Sequence, residues 1–275
     1  MIKEQIQRLK NLLSVPTYTW EEDDLIQYIV ETTENLCDEM KIDDLGNIYI
    51  TKGICEPNTY YPCFVAHLDT VHQKVDMVVE EEIHPNAYGE LKPAFKAYEQ
   101  ISGEPTGIGG DDKAGVFICL ELLRVLDNCK IFLPVAEETG CHGSKKANPE
   151  FFKDVGYAIQ FDSTENNTMS KTLMGVKLFE NEGNFIEEVK EVILEHGITD
   201  WLHHPYTDTM MLKNLFDFSC LNFAAGYYQY HTKNEYVIIE DTLNTLSLAK
   251  KIVKILGNKK YKYTNTSQQH NFLFS

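Results

Sequence analysis

The stretch KIFLPVAEE, residues 130–138, is a short apolar run that ends in two acidic side chains. The stretch YYPCFVAHLD, residues 60–69, has the same form and ends in a histidine and an aspartate. Apolar runs of roughly four to eight residues are typical of strands that are buried on both faces of a sheet. We therefore predict a buried strand in each stretch, with polar side chains delivered at its carboxyl end.

Segments with the apolar spacing of helices alternate with such runs along the chain. The pattern predicts helices over residues 2–13, 21–39, 112–126, 184–196 and 240–256, and further strands over 48–51, 157–161, 173–180 and 218–225. This alternation predicts the α/β class, as a three-layer α/β/α sandwich around a mixed, largely parallel sheet. In such sheets ligands bind beyond the carboxyl ends of the strands.

Length and composition suggest one folded unit. The 275 residues favour a single domain over residues 1–257, followed by a polar tail, 258–275. Residues 72–105 carry several Glu, Pro and Gly and are predicted to be a long irregular loop. Hydrophobic residues make up 43% of the chain, which is enough for a sizeable core.

Charge and cysteine usage exclude several classes of partner. The formal net charge is −17, so phosphate backbones are repelled and nucleic acid is a poor partner. No apolar run approaches the ~20 residues that span a bilayer, and the amino terminus lacks the apolar core of a signal peptide. We therefore expect no membrane association and a cytoplasmic location. The seven cysteines are scattered and odd in number, which favours reduced thiols.

Polar residues cluster directly after the predicted strands and at one helix start. They are His67, Asp69, Asp111, Asp112, Glu137, Glu138, Asp162 and His231. Each alone has an ordinary explanation, such as an N-cap, a turn or a solvated acidic pair. Together they place several carboxylates beside apolar strands, and buried charges are costly unless they are paired or bind a metal ion. A divalent cation at this edge of the sheet would resolve that cost.

The residue types suit a hydrolytic site with two metal ions. Zinc binds imidazole nitrogen and carboxylate oxygen, and catalytic sites leave one position for water. Two-metal sites activate that water and polarise a carbonyl, while a further carboxylate moves the proton. We therefore expect two divalent metal ions, preferably zinc, although cobalt or manganese would also suit these ligands.

Five segments resemble, in order and local context, the co-catalytic zinc exopeptidases, which include peptidase T, glutamate carboxypeptidases and the single-domain bacterial aminopeptidases. The segments are His67-Leu-Asp69-Thr70, Gly110-Asp111-Asp112-Lys113-Ala114-Gly115, Glu137-Glu138, Asp162, and His231-Thr-Lys-Asn-Glu235-Tyr236. The second and the last look most like the peptidase T branch. The resemblance covers residues 40–240 and implies a zinc-peptidase catalytic domain.

The resemblance also implies a role for each residue. Asp111 would bridge the two metals, Glu137 would be the general base, and Asp69 would orient His67. Asp112 would be structural. The remaining metal ligands would be His67 and Asp162 for one ion, and Glu138 and His231 for the other.

One feature departs from the peptidase T and carboxypeptidase branches. Those relatives insert a lid or dimerisation domain between the positions of Asp162 and His231, and the segment 163–230 is too short to hold one. We therefore expect the lid to be absent. The segment 201–209 resembles the substrate-lining loop of single-domain aminopeptidases, which makes His203, His204 and Asp208 candidate substrate-binding residues. The alternative is an exposed polar loop with an Asx turn at Asp208.

The favoured function is a metallo-exopeptidase acting on peptides, and an aminopeptidase in particular, because Asp208 could meet a substrate amine. Alternatives are a carboxypeptidase or an amidohydrolase acting on an N-acyl amino acid, and a non-catalytic metal-binding module. A magnesium-dependent phosphoryl-transfer enzyme ranks last, because such a site favours carboxylates and water over two histidines. The sequence leaves the oligomeric state open.

Overall fold

The computed structural model describes residues 2–180, 184–204 and 206–263, and for residues 200–204 it describes the backbone alone. Within those ranges the strands form two sheets. The main sheet contains β1 (Glu39–Ile42), β2 (Ile48–Lys52), β3 (Tyr61–Val65), β7 (Cys129–Leu133), β8 (Val155–Gln160), β9 (Thr168–Leu173), β10 (Val176–Lys177), β11 (Asp200–His204) and β12 (Ser219–Phe223). The smaller sheet contains β4 (Met77–Pro85), β5 (Leu91–Glu99), β6 (Pro105–Thr106), β13 (Tyr227–Tyr228) and β14 (Tyr236–Ile238).

Helices cover both faces of the main sheet. They are α1 (Ile2–Leu13), α2 (Asp23–Thr33), α3 (Gly110–Val125), α4 (His142–Lys145), α5 (Pro149–Phe152), α6 (Asn184–Glu195), α7 (Asp208–Leu215) and α8 (Ile239–Leu256), with a 3₁₀ turn at Glu34–Leu36. On one side α3 packs against α1 and α8, and α8 packs against α6. α7 packs against α4 and against strands β8 and β12.

The main sheet is parallel at its centre. Its order is β1-β2-β7-β3-β8-β12-β9-β10, with β11 paired to β9. Strands β7, β3, β8 and β12 run parallel to one another, and strands nearer the edges add antiparallel pairs. The predicted α/β sandwich with a mixed sheet is confirmed. Every residue of these four central strands is buried, which explains why their sequences are mostly apolar.

The prediction of an irregular loop over residues 72–105 is wrong. β4 and β5 form a nine-residue antiparallel hairpin, with Met77 opposite Glu99 and Pro85 opposite Leu91. Asn86 closes the turn, because its side chain accepts hydrogen bonds from the amides of Tyr88 and Glu90. The hairpin was missed because much of it is exposed, so its sequence lacks a clear apolar alternation.

Three other element predictions also need correction. The helix predicted over 21–39 ends at Thr33, and β1 begins at Glu39. The strand predicted over 173–180 is instead the pair β9 and β10. The segment 201–209, predicted as a loop, contains β11 and the start of α7. β11 forms a strand because it pairs with β9, and sequence periodicity does not reveal that pairing.

The described elements between Asp162 and His231 belong to the two sheets or to helices packed on them. β9, β10, β11 and β12 extend the main sheet, α6 packs on α8, and α7 packs on β12. In the described part of this segment there is no separate lid unit. Residues 258–263 pack against the main sheet, because the amide of Ser219 in β12 donates a hydrogen bond to the Tyr261 carbonyl. The rest of the predicted tail, 264–275, lies outside the described residues.

All seven cysteines fall in the described ranges, and none forms a disulfide. Among the described helices, none has both the length and the apolar character that crossing a membrane requires.

Candidate metal and catalytic site

The candidate site lies beyond the carboxyl ends of three adjacent parallel strands. β3 is followed by His67 and Asp69, β7 by Glu137 and Glu138, and β8 by Asp162. Strands in this arrangement end at the same edge of the sheet, so their polar side chains converge.

Two further ligand candidates come from other elements. Asp111 lies in the first turn of α3, and His231 follows β13 of the smaller sheet. The smaller sheet therefore contributes a residue to the site, because its strands β13 and β14 flank the segment with His231.

The carboxylate of Asp111 lies between the two histidines. Its Oδ1 is 3.2 Å from Nε2 of His67, and its Oδ2 is 3.3 Å from Nε2 of His231. Nε2 of His231 is also 2.9 Å from Oε1 of Glu138, and Nε2 of His67 is 3.9 Å from Oδ1 of Asp162. The five predicted ligands thus form two groups, one around each histidine, that share Asp111.

This donor set fits divalent metal ions. Ligand atoms of His67, Asp111 and Glu138 all lie within 4.8 Å of one another. Imidazole nitrogen combined with carboxylate oxygen is the set that zinc and similar ions prefer. An ion in each group would replace the present contacts between histidines and carboxylates with bonds to metal.

Asp112 has a different environment from Asp111, to which it is joined by a cis peptide bond. Ligand atoms of Asp112, His67 and Asp162 also all lie within 4.8 Å of one another. However, one oxygen of Asp112 accepts a hydrogen bond from the amide of His67 at 3.2 Å, and the other from the amide of Gly115 at 3.1 Å. This geometry fits the structural role implied for Asp112, since it fixes the start of α3 against the loop after β3.

Asp69 is fully buried behind His67. Its Oδ1 lies 3.3 Å from Nδ1 of His67 and accepts the amide hydrogen of Glu137 at 2.8 Å. Its Oδ2 accepts hydrogen bonds from the amide of Glu138 and the hydroxyl of Thr19. Burial alone would raise the pKa of Asp69, but its bonds to His67 and to the backbone lower it. Nδ1 of His67 also lies 3.0 Å from the backbone carbonyl of Asp69, so both groups of this residue face Nδ1 while Nε2 faces the cluster, and its carboxylate holds the Glu137–Glu138 segment.

Glu137 is buried beside the ligand groups. Among the described residues, the hydrogen bond recorded for its side chain comes from the Cys141 thiol, at 3.3 Å from Oε1. Burial raises the pKa of Glu137 well above its usual value, and neighbouring Asp162 adds to the effect. A buried carboxylate with few partners at the edge of a metal-ligand cluster can accept and return a proton.

The electrostatics of the cluster reflect its many acidic groups. Burial raises the pKa of Asp162 and Glu138, and nearby carboxylates raise both further. Hydrogen bonds that the His231 imidazole donates to the carboxylates of Asp111 and Glu138 raise the pKa of His231 to about 10. In this structure the histidines thus supply positive charge among the carboxylates, as metal cations would in a loaded site.

The predicted substrate-binding residues are placed differently. Asp208 is fully buried, and one of its oxygens accepts a hydrogen bond from the Gln160 amide at 3.3 Å. The same Gln160 amide lies 3.1 Å from Oδ2 of Asp162, so Asp208 sits behind a metal-ligand candidate. The side chains of His203 and His204 lie outside the described residues.

Sequence reasoning gave no role to Glu235, which in the structure binds the backbone at the start of α3, where Asp111 lies. Its buried carboxylate accepts hydrogen bonds from the amides of Gly109 and Asp111, both at 2.9 Å. Nε2 of His72 lies 2.9 Å from the same carboxylate. The available signal was the place of Glu235 in the segment His231-Thr-Lys-Asn-Glu235-Tyr236, which carries the family resemblance.

Comparison with known proteins identifies the fold. No protein-family model matches the chain, and no curated protein matches it. Among solved structures, aminopeptidase PepT from Bacillus cereus superposes with a TM-score of 0.75 at 14% identity, covering 93% of this chain and 99% of that one. A tripeptidase from Staphylococcus aureus gives 0.72 at 14% identity, covering 93% and 98%. A TET aminopeptidase from a marine-sediment Thaumarchaeota archaeon gives 0.65 at 12% identity, covering 94% and 98%.

At these identities the likeness shows a shared fold. The fold implied by the sequence resemblance is therefore confirmed, since the solved structures that share it are peptidases of the expected kind.

Proposed function

We propose that this chain is a metal-dependent exopeptidase that removes residues from the amino end of peptides. The observation that carries the proposal is the carboxylate of Asp111, whose two oxygens face the Nε2 atoms of two different histidines. A carboxylate in that position suits two ions that share it, and this arrangement is typical of two-metal hydrolytic sites. The amino-end preference is supported by the aminopeptidases and the tripeptidase that share the fold.

The residues that would hold the ions are His67 and Asp162 on one side, and Glu138 and His231 on the other, with Asp111 between them. When bound, such ions polarise the scissile carbonyl and make a water molecule a stronger nucleophile at neutral pH. Asp69 keeps Nε2 of His67 directed at the cluster. Glu137 takes the proton from the attacking water and returns it to the leaving amine.

The preference for the amino end does not rest on Asp208. We assign Asp208 no contact with the substrate amine, because its carboxylate is buried and accepts a hydrogen bond from Gln160. The peptidases that share the fold support the preference instead.

Digestion of a mixed peptide library by the zinc-loaded protein, read by mass spectrometry, tests the proposal. Loss of single residues from the amino end is expected, and the Glu137→Gln protein serves as the control without the base. Loss from the carboxyl end would keep the chemistry and overturn the specificity. No cleavage, or equal cleavage by Glu137→Gln, would overturn the proposed function.

A further inference from the structure

Trp20 has two unusual features. Its backbone φ is +69°, a left-handed conformation that large side chains rarely adopt. Its side chain is 53% exposed, although tryptophan is one of the most apolar residues. Strained backbone is most often retained where it serves a function, so the surroundings of this ring are informative.

The loop before Trp20 is bonded to the segment that follows β3. The hydroxyl of Thr17 donates to the carbonyl of Leu68 at 3.0 Å, and the hydroxyl of Thr70 donates to the carbonyl of Thr17 at 2.8 Å. The hydroxyl of Thr19 donates to Asp69, the carboxylate that orients His67, at 2.8 Å. These bonds fix the residue next to Trp20 at the base of the candidate site.

The loop after Trp20 is bonded to the segment that carries Glu137. One oxygen of buried Glu22 accepts the amide hydrogens of Trp20 at 3.0 Å and of Ala136 at 3.1 Å. The Trp20 ring lies against the imidazole of His142, with 5.3 Å between ring centroids. His142 is itself bonded to Ala136 through its amide, at 3.0 Å.

We propose that Trp20 and His142 form an aromatic surface that binds a large apolar side chain on the peptide residue next to the cleaved bond. This inference rests on the proposed peptidase function and adds a substrate class to it. Two exposed rings fixed beside the segment of Glu137 offer the apolar contact that such a side chain needs. Hydrogen bonds to the backbone on both sides of Trp20 preorganise the surface, so binding costs little conformational entropy.

Two substitutions separate the ring from the backbone. Asparagine tolerates a left-handed φ, so Trp20→Asn removes the ring with little added strain, whereas Trp20→Phe keeps an aromatic ring. The substrates are Phe-Gly-Gly, Gly-Phe-Gly and Gly-Gly-Gly. Tyr88→Ala is the matched control, because Tyr88 is an exposed aromatic residue in the turn between β4 and β5.

We expect Trp20→Asn to raise KM for the peptides that contain Phe by about tenfold, which corresponds to ~1.4 kcal/mol, with little change in kcat. Hydrolysis of Gly-Gly-Gly is expected to stay the same, and Trp20→Phe to recover most of the loss. A merely structural role would lower activity on all three peptides equally. That result, or an unchanged KM, would overturn the inference and leave the proposed function standing.

A binding measurement covers the case in which no peptide is hydrolysed. The chain has two tryptophans, so Trp20 is the sole tryptophan in a Glu137→Gln, Trp201→Phe double variant. Addition of Phe-Gly-Gly is expected to shift its emission to shorter wavelength, and addition of Gly-Gly-Gly is not. With no hydrolysis by the unsubstituted protein, this shift would support the aromatic surface and contradict the peptidase function. With neither hydrolysis nor shift, both proposals fail.

Discussion

Replacing Glu235 with glutamine exchanges one carboxylate oxygen for an NH₂ group at a point where three hydrogen bonds converge. The carboxylate accepts from the amides of Gly109 and Asp111 and pairs with His72, each at 2.9 Å, and it is fully buried. Glutamine keeps one acceptor oxygen and turns an NH₂ group toward a donor. Hydrogen bonds to a charged group contribute roughly 1.5–3 kcal/mol each, so losing at least one is expected to lower the free energy of unfolding by about 2–3 kcal/mol.

The same substitution is expected to weaken metal binding. Loss of the bond to the amide of Gly109 or of Asp111 loosens this backbone segment, and the carboxylate of Asp111 between His67 and His231 is then held less firmly. Groups that orient a metal ligand typically contribute about 10–100-fold in affinity. We therefore expect Glu235→Gln to lower zinc affinity within that range, with no direct contact to the metal being removed.

Two assays measure these effects: urea unfolding for stability, and zinc competition against a chromophoric chelator for affinity. Glu240→Gln is the matched control, because it makes the same charge change at an exposed side chain. Loss of stability without loss of affinity would reduce Glu235 to a purely structural group. Wild-type values in both assays would refute the reasoning.

Three further predictions concern the carboxylates of the site. Glu137→Gln is expected to bind both metals and lose about 10²–10⁴-fold in kcat, and full activity by a peptidase assay would contradict the role of base. Asp111→Ala is expected to lose metal from both groups, since they share that side chain, and unchanged metal content by elemental analysis would exclude the bridge. Burial raises the pKa of Asp208 to about 6, above its ordinary value. Ionising Asp208 in the folded protein is therefore unfavourable, and the free energy of unfolding falls as pH rises from about 4 through about 6. Asp208→Asn is therefore expected to raise the melting temperature of the metal-free protein at pH 8 and to change it little at pH 4. Equal shifts at both pH values would show that the charge is not responsible. Asp217→Asn is a control of opposite sign. It is expected to lower the melting temperature at pH 8, because the effect of Lys260 and Lys262 on the pKa of Asp217 outweighs that of burial, and the pKa is lowered.

The central strands could be predicted from the sequence because burial on both faces leaves a local signature. β3 and β7 are buried along their whole length, and apart from Lys130 their residues are apolar or aromatic. The hairpin of β4 and β5 has no such signature, since most side chains of β4 are exposed and the pairing depends on contacts between the strands. β11 likewise forms a strand through its pairing with β9.

The candidate ligands could be listed from the sequence because acidic residues and histidines directly follow buried strands. That pattern gives residue types and the edge of the sheet, but no distances. Asp208 shows the limit, because an acidic residue in a predicted loop suggested exposure, whereas α7 packs it fully buried behind Gln160.

The order and spacing of apolar and polar residues along the chain determined the fold class and brought His67, Asp111 and Glu137 to one sheet edge, because strand direction fixes where each strand ends. Tertiary structure alone decided that the two oxygens of Asp111 face different histidines, that Glu235 supports that loop, and that the amides of Trp20 and Ala136 donate to the same oxygen of Glu22. These contacts join residues far apart in sequence. They depend on how the two sheets and the amino-terminal loop pack together, a relation that local periodicity does not encode.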